Sequence, residues 1–254
     1  MGNRILSHIQ IYGLFILQIL LFTTIFIVMN TLYWTIPKLY YHAADLIGYY
    51  SRVSRVVRNT HDYADYLVTW SAYKVVMYSM YSVTKMQVEI RGPPFDTLVT
   101  DLNTGETKHL LSYCKRNNRP LVLNFGSVSC TIFRSFIEEF NALVERRNRD
   151  VDFLMVYIFE GHAEDEWKFG KAPHTIYQHR TVGERLRAAA ILREDYGMEC
   201  DIVVDNMENS ACLAYGADPM RLFVISNGEV VYVGDQGPFG YSIESLEKFL
   251  DSNF

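Results

Sequence analysis

The stretch Pro120 to Phe133, PLVLNFGSVSCTIF, constrains this chain more than any other. Pro120 to Phe125 is a short apolar run of strand character, and Gly126, Ser127 and Ser129 break it. Cys130 then stands where a helix begins, because the apolar residues beyond it (Phe133, Phe136, Ile137, Phe140, Leu143, Val144) recur at helical spacing. A cysteine at a strand-to-helix junction faces the first free amide N–H groups and the positive end of the helix dipole, and both favour thiolate over thiol. The expectation is a nucleophilic sulfur with a pKa below the free-thiol value of about 8.5. The competing reading is a small buried core residue, since free cysteine is commonly buried.

A chain of 254 residues that is 49% hydrophobic fits one globular domain plus extra segments. The net charge of −5, with no dominant basic block, argues against nucleic acid as a partner. The four cysteines, Cys114, Cys130, Cys200 and Cys212, form neither a CxxC pair nor a zinc spacing, so no metal site is expected. A lone-cysteine nucleophile with distant thiols suits a reducing compartment better than a disulfide framework does.

Ile11 to Ile36 is almost continuously apolar, long enough to cross a bilayer core with some tilt. It exceeds the roughly 7–15-residue apolar core of a cleaved signal peptide and carries no small-residue cleavage site. Tyr33 and Trp34 fall where an interfacial aromatic belt would lie. Arg4 precedes the stretch, whereas Lys38, Arg52, Arg55 and Arg58 follow it, and that excess assigns the C-terminal side to the cytosol. The host is then the plasma membrane or the endoplasmic reticulum. Residues 1–10 are thus a tail, 11–36 a single membrane span and 37–91 a juxtamembrane helical linker. Within the linker, Arg52, Arg55 and Arg58 form a stripe suited to anionic headgroups or to plain solvation. Tyr66 to Tyr81 is too short, and carries Lys74 too centrally, for a second span, and reads as an interfacial or packed helix.

Gly92-Pro93-Pro94 marks the start of the domain at 92–254. Leu98–Leu102 and Thr107–Leu111 flank a turn at Asn103-Thr104-Gly105; the strand Leu121–Phe125 and the Cys130 helix follow, then a buried strand at Val151–Ile158. After an aperiodic insertion, Phe159 to Arg180, come a helix at Glu184–Glu194, a strand at Asp201–Val204 and a short helix at Ser210–Tyr215. Leu222–Ile225 and Val230–Val233 are joined by Asn227-Gly228, a strong hairpin signal, and Ser242 can cap a last helix striped with Ile243, Leu246, Phe249 and Leu250. This order predicts a mixed sheet with helices on both faces, and a cysteine beyond the first core strand makes it an α/β thioredoxin-like fold.

The segments RPLVLNFGSVSCTIF, DFLMVYIFEGHAEDEW, APHTIYQHR, CDIVVDNMENSACLAYGADPMRLFVI and GDQGPFGY, in that order, resemble the iodothyronine deiodinases from about Gly92 to Phe254. The resemblance implies a membrane-anchored, thioredoxin-like enzyme with a deiodinase-type insertion. It would remove iodide reductively from iodothyronines or related iodinated phenols. That family carries selenocysteine where this chain has Cys130, and a cysteine where it has Val128, so a slower nucleophile lacking a local thiol partner is implied. Cys200 matches a family cysteine and is the internal candidate for a resolving thiol. Glu160 and His162 match a catalytic Glu-x-His, and His179 matches a second functional histidine; a histidine can supply the proton that the dehalogenated ring carbon needs. Ser129, Tyr157 and Gln236 are implied to bind substrate. Gln236 stands where some members carry a basic residue, and Phe159 where many carry an acidic one. No bound cofactor is implied, only an external thiol reductant. The segment Asp152–Tyr157 resembles one used in dimerisation, which implies a homodimer. The alternative functions are a thiol peroxidase or thiol-dependent reductase, and a non-catalytic membrane-bound interaction domain.

Overall fold

A computed structural model describes residues 2–50, 61–114, 119–168 and 173–254. Arg52, Arg55 and Arg58 lie outside the described residues. The first helix, α1 (Gly2–Thr35), begins earlier than the apolar run suggested; its segment Phe15–Thr35 is long and apolar enough to cross a membrane by length and composition. The helix stops at Ile36 because Pro37 disfavours helical backbone in the residue before it. Pro37 then opens α2 (Pro37–Tyr50), a position that needs no N–H. Two further helices, α3 (His61–Leu67) and α4 (Trp70–Thr84), complete the linker.

The linker is not a spacer. Thr69 caps α4 by accepting the Ala72 N–H at 3.1 Å, and Tyr73 then turns onto α1. Its hydroxyl lies 3.0 Å from Thr23 Oγ1, and its ring packs on Phe22 and Phe26 with centroids 5.9 and 5.0 Å away. The expected packed helix is therefore present, and its other faces meet the domain that follows.

That domain is built on one seven-stranded sheet in the order β2-β1-β5-β4-β3-β6-β7. The strands are β1 (Leu98–Asp101), β2 (Thr107–His109), β3 (Leu121–Gly126), β4 (Asp152–Tyr157), β5 (Asp201–Asp205), β6 (Arg221–Ser226) and β7 (Glu229–Val233). β3, β4 and β5 run parallel, whereas β6 is antiparallel to β3 and β7 to β6. With Cys130 just beyond the C-terminal end of β3, the sheet has thioredoxin-like topology. The small hairpin β1–β2 and the Asn227-Gly228 hairpin fall where the turn residues place them; both turn residues of the latter adopt positive φ, 51° and 78°.

Strand alternation sends successive side chains to two cores. On one face Val122, Met155, Ile202 and Val224 meet Phe133, Phe140, Leu143, Leu192, Leu246 and Leu250. These come from α5 (Thr131–Ser135), α6 (Ile137–Arg147), α7 (Val182–Glu194) and α9 (Ile243–Asn253). On the other face Leu123, Phe125, Leu154, Val156 and Phe223 meet Leu110 and α8 (Ser210–Tyr215). Ser242 caps α9 as expected, and Thr181 with Glu184 forms a capping box on α7. The single helix expected after Cys130 is instead two: at Phe136 the N–H turns back to Phe133 O at 3.0 Å, an i−3 bond that tightens the turn and ends α5. β4 lies between β3 and β5 with both edges paired and every residue buried. The segment that resembles a dimerisation element is thus a central core strand within the chain.

Gly126 closes β3 under the ring of Phe133, where an added Cβ would stand 2.5 Å from two ring carbons. Gly126→Ala should destabilise the chain by about 1–3 kcal/mol through overpacking. The check is a lowered melting temperature of the full chain in mild detergent.

Candidate active site

The site grows from the loop that leaves β3. Cys130 is the N-cap of α5, and its Sγ accepts the Phe133 N–H at 3.5 Å. Both backbone groups of Val128 are held: its N–H donates to Tyr157 Oη at 3.2 Å, and its carbonyl accepts from Arg134. Arg134 also reaches Thr131 Oγ1 at 3.0 Å. The loop is therefore fixed from two sides, and Cys130 is only 2% exposed.

Glu160 organises the rest. Its carboxylate is buried, with Oε2 accepting the Ser129 N–H at 3.0 Å and Oε1 accepting the Tyr157 hydroxyl. His179 Nε2 lies 3.2 Å from the same Oε1. Burial alone would raise the Glu160 pKa, but His179, Ser129 and Tyr157 outweigh it and hold the carboxyl below its ordinary value. The same arrangement pushes Tyr157 well above the usual phenol range, through burial and the adjacent carboxylate. Ser129 Oγ accepts the His162 N–H at 3.1 Å, joining the insertion to the cysteine loop. Gln178 grips Glu160 by its backbone, accepting its N–H at 3.0 Å and donating to its carbonyl at 2.9 Å.

Of the residues singled out in the sequence, Ser129, Tyr157, Glu160 and His179 meet around one carboxylate, with His162 bonded to its edge. The imidazole of His162 is enclosed, stacking edge-on against Trp167 with centroids 4.6 Å apart, and burial lowers its pKa to about 4. Gln236 lies apart from this group: its Nε2 donates to the Asp218 carbonyl and lies 3.4 Å from Ser79 Oγ of α4. Cys200 precedes β5, four residues before Val204, which pairs through Tyr157 with Gly126. At strand rise that places it roughly 13 Å down the sheet from the end of β3. Its thiol is buried and pushed up to about 12. For Cys130 the expected depression of the pKa is not found: burial pushes the thiol up, against the smaller opposing pull of the Phe133 N–H and Arg134.

Beside Glu160 and His179 opens a pocket of about 420 Å³. Phe159, Gln178, Arg185 and Asn209 line it from the domain. Arg185 is 1% exposed, its guanidinium spent on the carbonyls of Asp205 and Asn206 and on Asn209 Oδ1. The opposite wall is α4, which sequence reasoning assigned to the linker and not to the site, although its residues Ser71, Lys74, Val75 and Tyr78 follow the i, i+3, i+4, i+7 stripe of one helix face.

Two titrations follow from this burial. Cys130 should alkylate with a pH midpoint above that of free cysteine, about 8.5. At pH 7 its rate should accordingly fall below that of a model thiol; peptide mass spectrometry after iodoacetamide pulses, in a Cys114→Ser background, measures it. Asp218 is fully enclosed, and burial raises its carboxyl to about 7, beyond what Ser79 offsets. Between pH 3.8 and about 7 the folded chain therefore holds a proton that the unfolded chain releases, and stability falls as pH rises through that window. Asp218→Asn should flatten this slope, removing a difference on the order of a few kcal/mol. Melting curves at pH 4.5 and 7.5 decide it.

A family model described as iodothyronine deiodinase matches residues 13–254. The thyroxine 5-deiodinase of Sus scrofa is 41% identical over 160 residues, which cover 63% of this chain and 52% of that protein. The type I iodothyronine deiodinase of Xenopus laevis is 36% identical over 203 residues, covering 77% of this chain and 79% of that protein. The chain thus spans about half the length of the first curated relatives it matches. Among solved structures, the thioredoxin domain of a thiol-disulfide oxidoreductase from Bacteroides vulgatus aligns with a TM-score of 0.43 at 12% identity, over 64% of this chain and 98% of that one.

Proposed function

The chain belongs to the iodothyronine deiodinase family, and from that premise we propose that it removes iodide reductively from an iodothyronine through the thiolate of Cys130, with α1 as its membrane anchor and the domain facing the cytosol. The observation that carries the reading is the Ser129–Glu160–His179 group, one residue from the cysteine. Reductive dehalogenation needs a soft nucleophile for the halogen and a proton for the carbon it leaves. Cys130 is the nucleophile. Its thiolate takes iodine from the ring carbon, the C–I bond breaks, an S–I bond forms, and a proton replaces iodine on carbon.

The proton source is the Glu160–His179 pair. His162, with its pKa lowered to about 4, is neutral at pH 7 and serves as a hydrogen-bonding ring. The sulfenyl iodide is then attacked by an external thiol, which expels iodide and leaves a mixed disulfide; a second thiol restores Cys130 and departs as the disulfide. Val128 provides no neighbouring thiol, and Cys200, just before β5, keeps a buried thiol whose pKa is pushed up to about 12, which suits it poorly to that part. The reductant is therefore external in this reading.

The test is iodide release from thyroxine by the full chain in mild detergent with dithiothreitol. Cys130→Ser should abolish release with the fold intact, and Glu160→Ala and His179→Ala should each lower kcat/KM by roughly 10²-fold or more. Cys200→Ser should leave single-turnover release unchanged. Wild-type release by Cys130→Ser, or faster turnover of a hydroperoxide than of thyroxine, would displace the reading.

A further inference from the structure

The pocket beside Glu160 takes one wall from α4, in the segment that follows α1. Ser71, Lys74, Val75 and Tyr78 face Phe159, Gln178, His179 and Arg185 across it. Two contacts fix α4 in place there: Tyr78 meets Phe159 edge-on at 5.4 Å, and Ser79 Oγ reaches the Asp218 carbonyl at 3.4 Å; the preceding helix α3 is held by Trp167 Nε1, which donates to the Tyr66 carbonyl at 3.0 Å. The volume, about 420 Å³, lies in the range of small-molecule sites.

The charges of the lining are unevenly committed. Arg185 is bound to backbone carbonyls and Asn209, Glu160 to its three donors, and Glu166 accepts from Gln178 Nε2 at 3.0 Å. Lys74 is exposed and forms no ion pair among the described residues. It stands one helical turn, roughly 6 Å, from Tyr78, and so from the Phe159–Glu160 end of the pocket. An aromatic ligand with its reacting ring at the His179 end would carry its other end toward Lys74.

We propose that α4 is one wall of the substrate site, with Lys74 binding the carboxylate of an iodinated aromatic amino acid while Val75, Tyr78 and Phe159 hold its ring. This rests on the deiodinase reading and adds a determinant outside the thioredoxin-like domain. A lysine suits the task because its flexible stem lets a hydrated point charge follow a carboxylate that differs in reach among substrates.

The test uses the full chain in mild detergent and two probes, thyroxine and its decarboxylated amine. Equilibrium dialysis gives Kd, and iodide release gives KM. Lys74→Gln should weaken thyroxine by roughly three- to tenfold, the scale of one partly exposed ion pair, and leave the decarboxylated probe unchanged. Lys74→Arg should restore most of the loss, and Val75→Trp, which fills the pocket, should weaken both probes. The proposal is overturned if Lys74→Gln leaves thyroxine binding unchanged or weakens both probes alike, or if Val75→Trp binds both as wild type does. Carboxylate-dependent binding without iodide release would remove the deiodinase reading and keep the subsite. Iodide release with an unchanged KM in Lys74→Gln would do the reverse, and a wild-type chain that fails to bind thyroxine would remove the subsite.

Discussion

A single buried carboxylate holds the functional half of this molecule together. Glu160 follows β4 by three residues and is 1% exposed, so its charge rests on the Ser129 N–H, the Tyr157 hydroxyl and His179. An uncompensated carboxylate at such a depth would cost several kcal/mol. Each donor comes from a different place: the loop after β3, the end of β4, and the residues before α7. Satisfying the charge therefore brings three segments to one point, and Gln178 then fastens the far end of the insertion to the Glu160 backbone. An insertion without periodicity is thereby ordered where it matters.

The same closure governs Cys130. A helix terminus favours thiolate, but α5 has only five residues, so few peptide dipoles align behind Cys130, and the Phe133 and Ile132 N–H groups at its sulfur offset only part of the burial. Desolvation acts on the whole charge of the sulfur and wins. The loop that makes Cys130 a good N-cap is pinned by Tyr157 and Arg134, which hides the sulfur. The thiol is thus stored protonated, and ionising it requires relief of its burial. Arg134, which already opposes the shift, is the charge best placed to stabilise the thiolate once solvent or substrate reaches the sulfur.

Much of the fold could be read in the residues because local signals and burial agree there. β3, β4, β6 and β7 are apolar runs bounded by turn residues, α8 falls at Ser210–Tyr215 as expected, and Ser242 and Asn227-Gly228 act as their chemistry dictates. The break at Phe136 was not legible, because the apolar spacing is continuous through it. The gathering of Ser129, Tyr157, Glu160 and His179 could be expected only from the family's motifs; spacing along the chain does not reveal that residues 31 and 50 positions apart share one carboxylate and its loop. The direction of the Cys130 shift is not legible because a sequence displays the helix start and conceals how deeply the sulfur is buried. The role of α4 was missed for a related reason. Tyr66 to Tyr81 reads as an interfacial or packed helix, and the sequence does not say which surface its second face meets.

That second face changes what the anchor does. Tyr73 commits one side of α4 to α1, and Tyr78, on the pocket side, is committed to Phe159. A helix fixed on two sides cannot move relative to one partner without disturbing the other. The boundary drawn at Gly92 does not divide the pocket, because the pocket has walls from both sides of it. A domain truncated before Gly92 would keep the sheet, the buried carboxylate and the cysteine, since all lie beyond that point. It would lose Ser71, Lys74, Val75 and Tyr78, opening the side of the pocket that faces Phe159 and His179. On this geometry the membrane-proximal helix belongs to the site as fully as the sheet that presents Cys130.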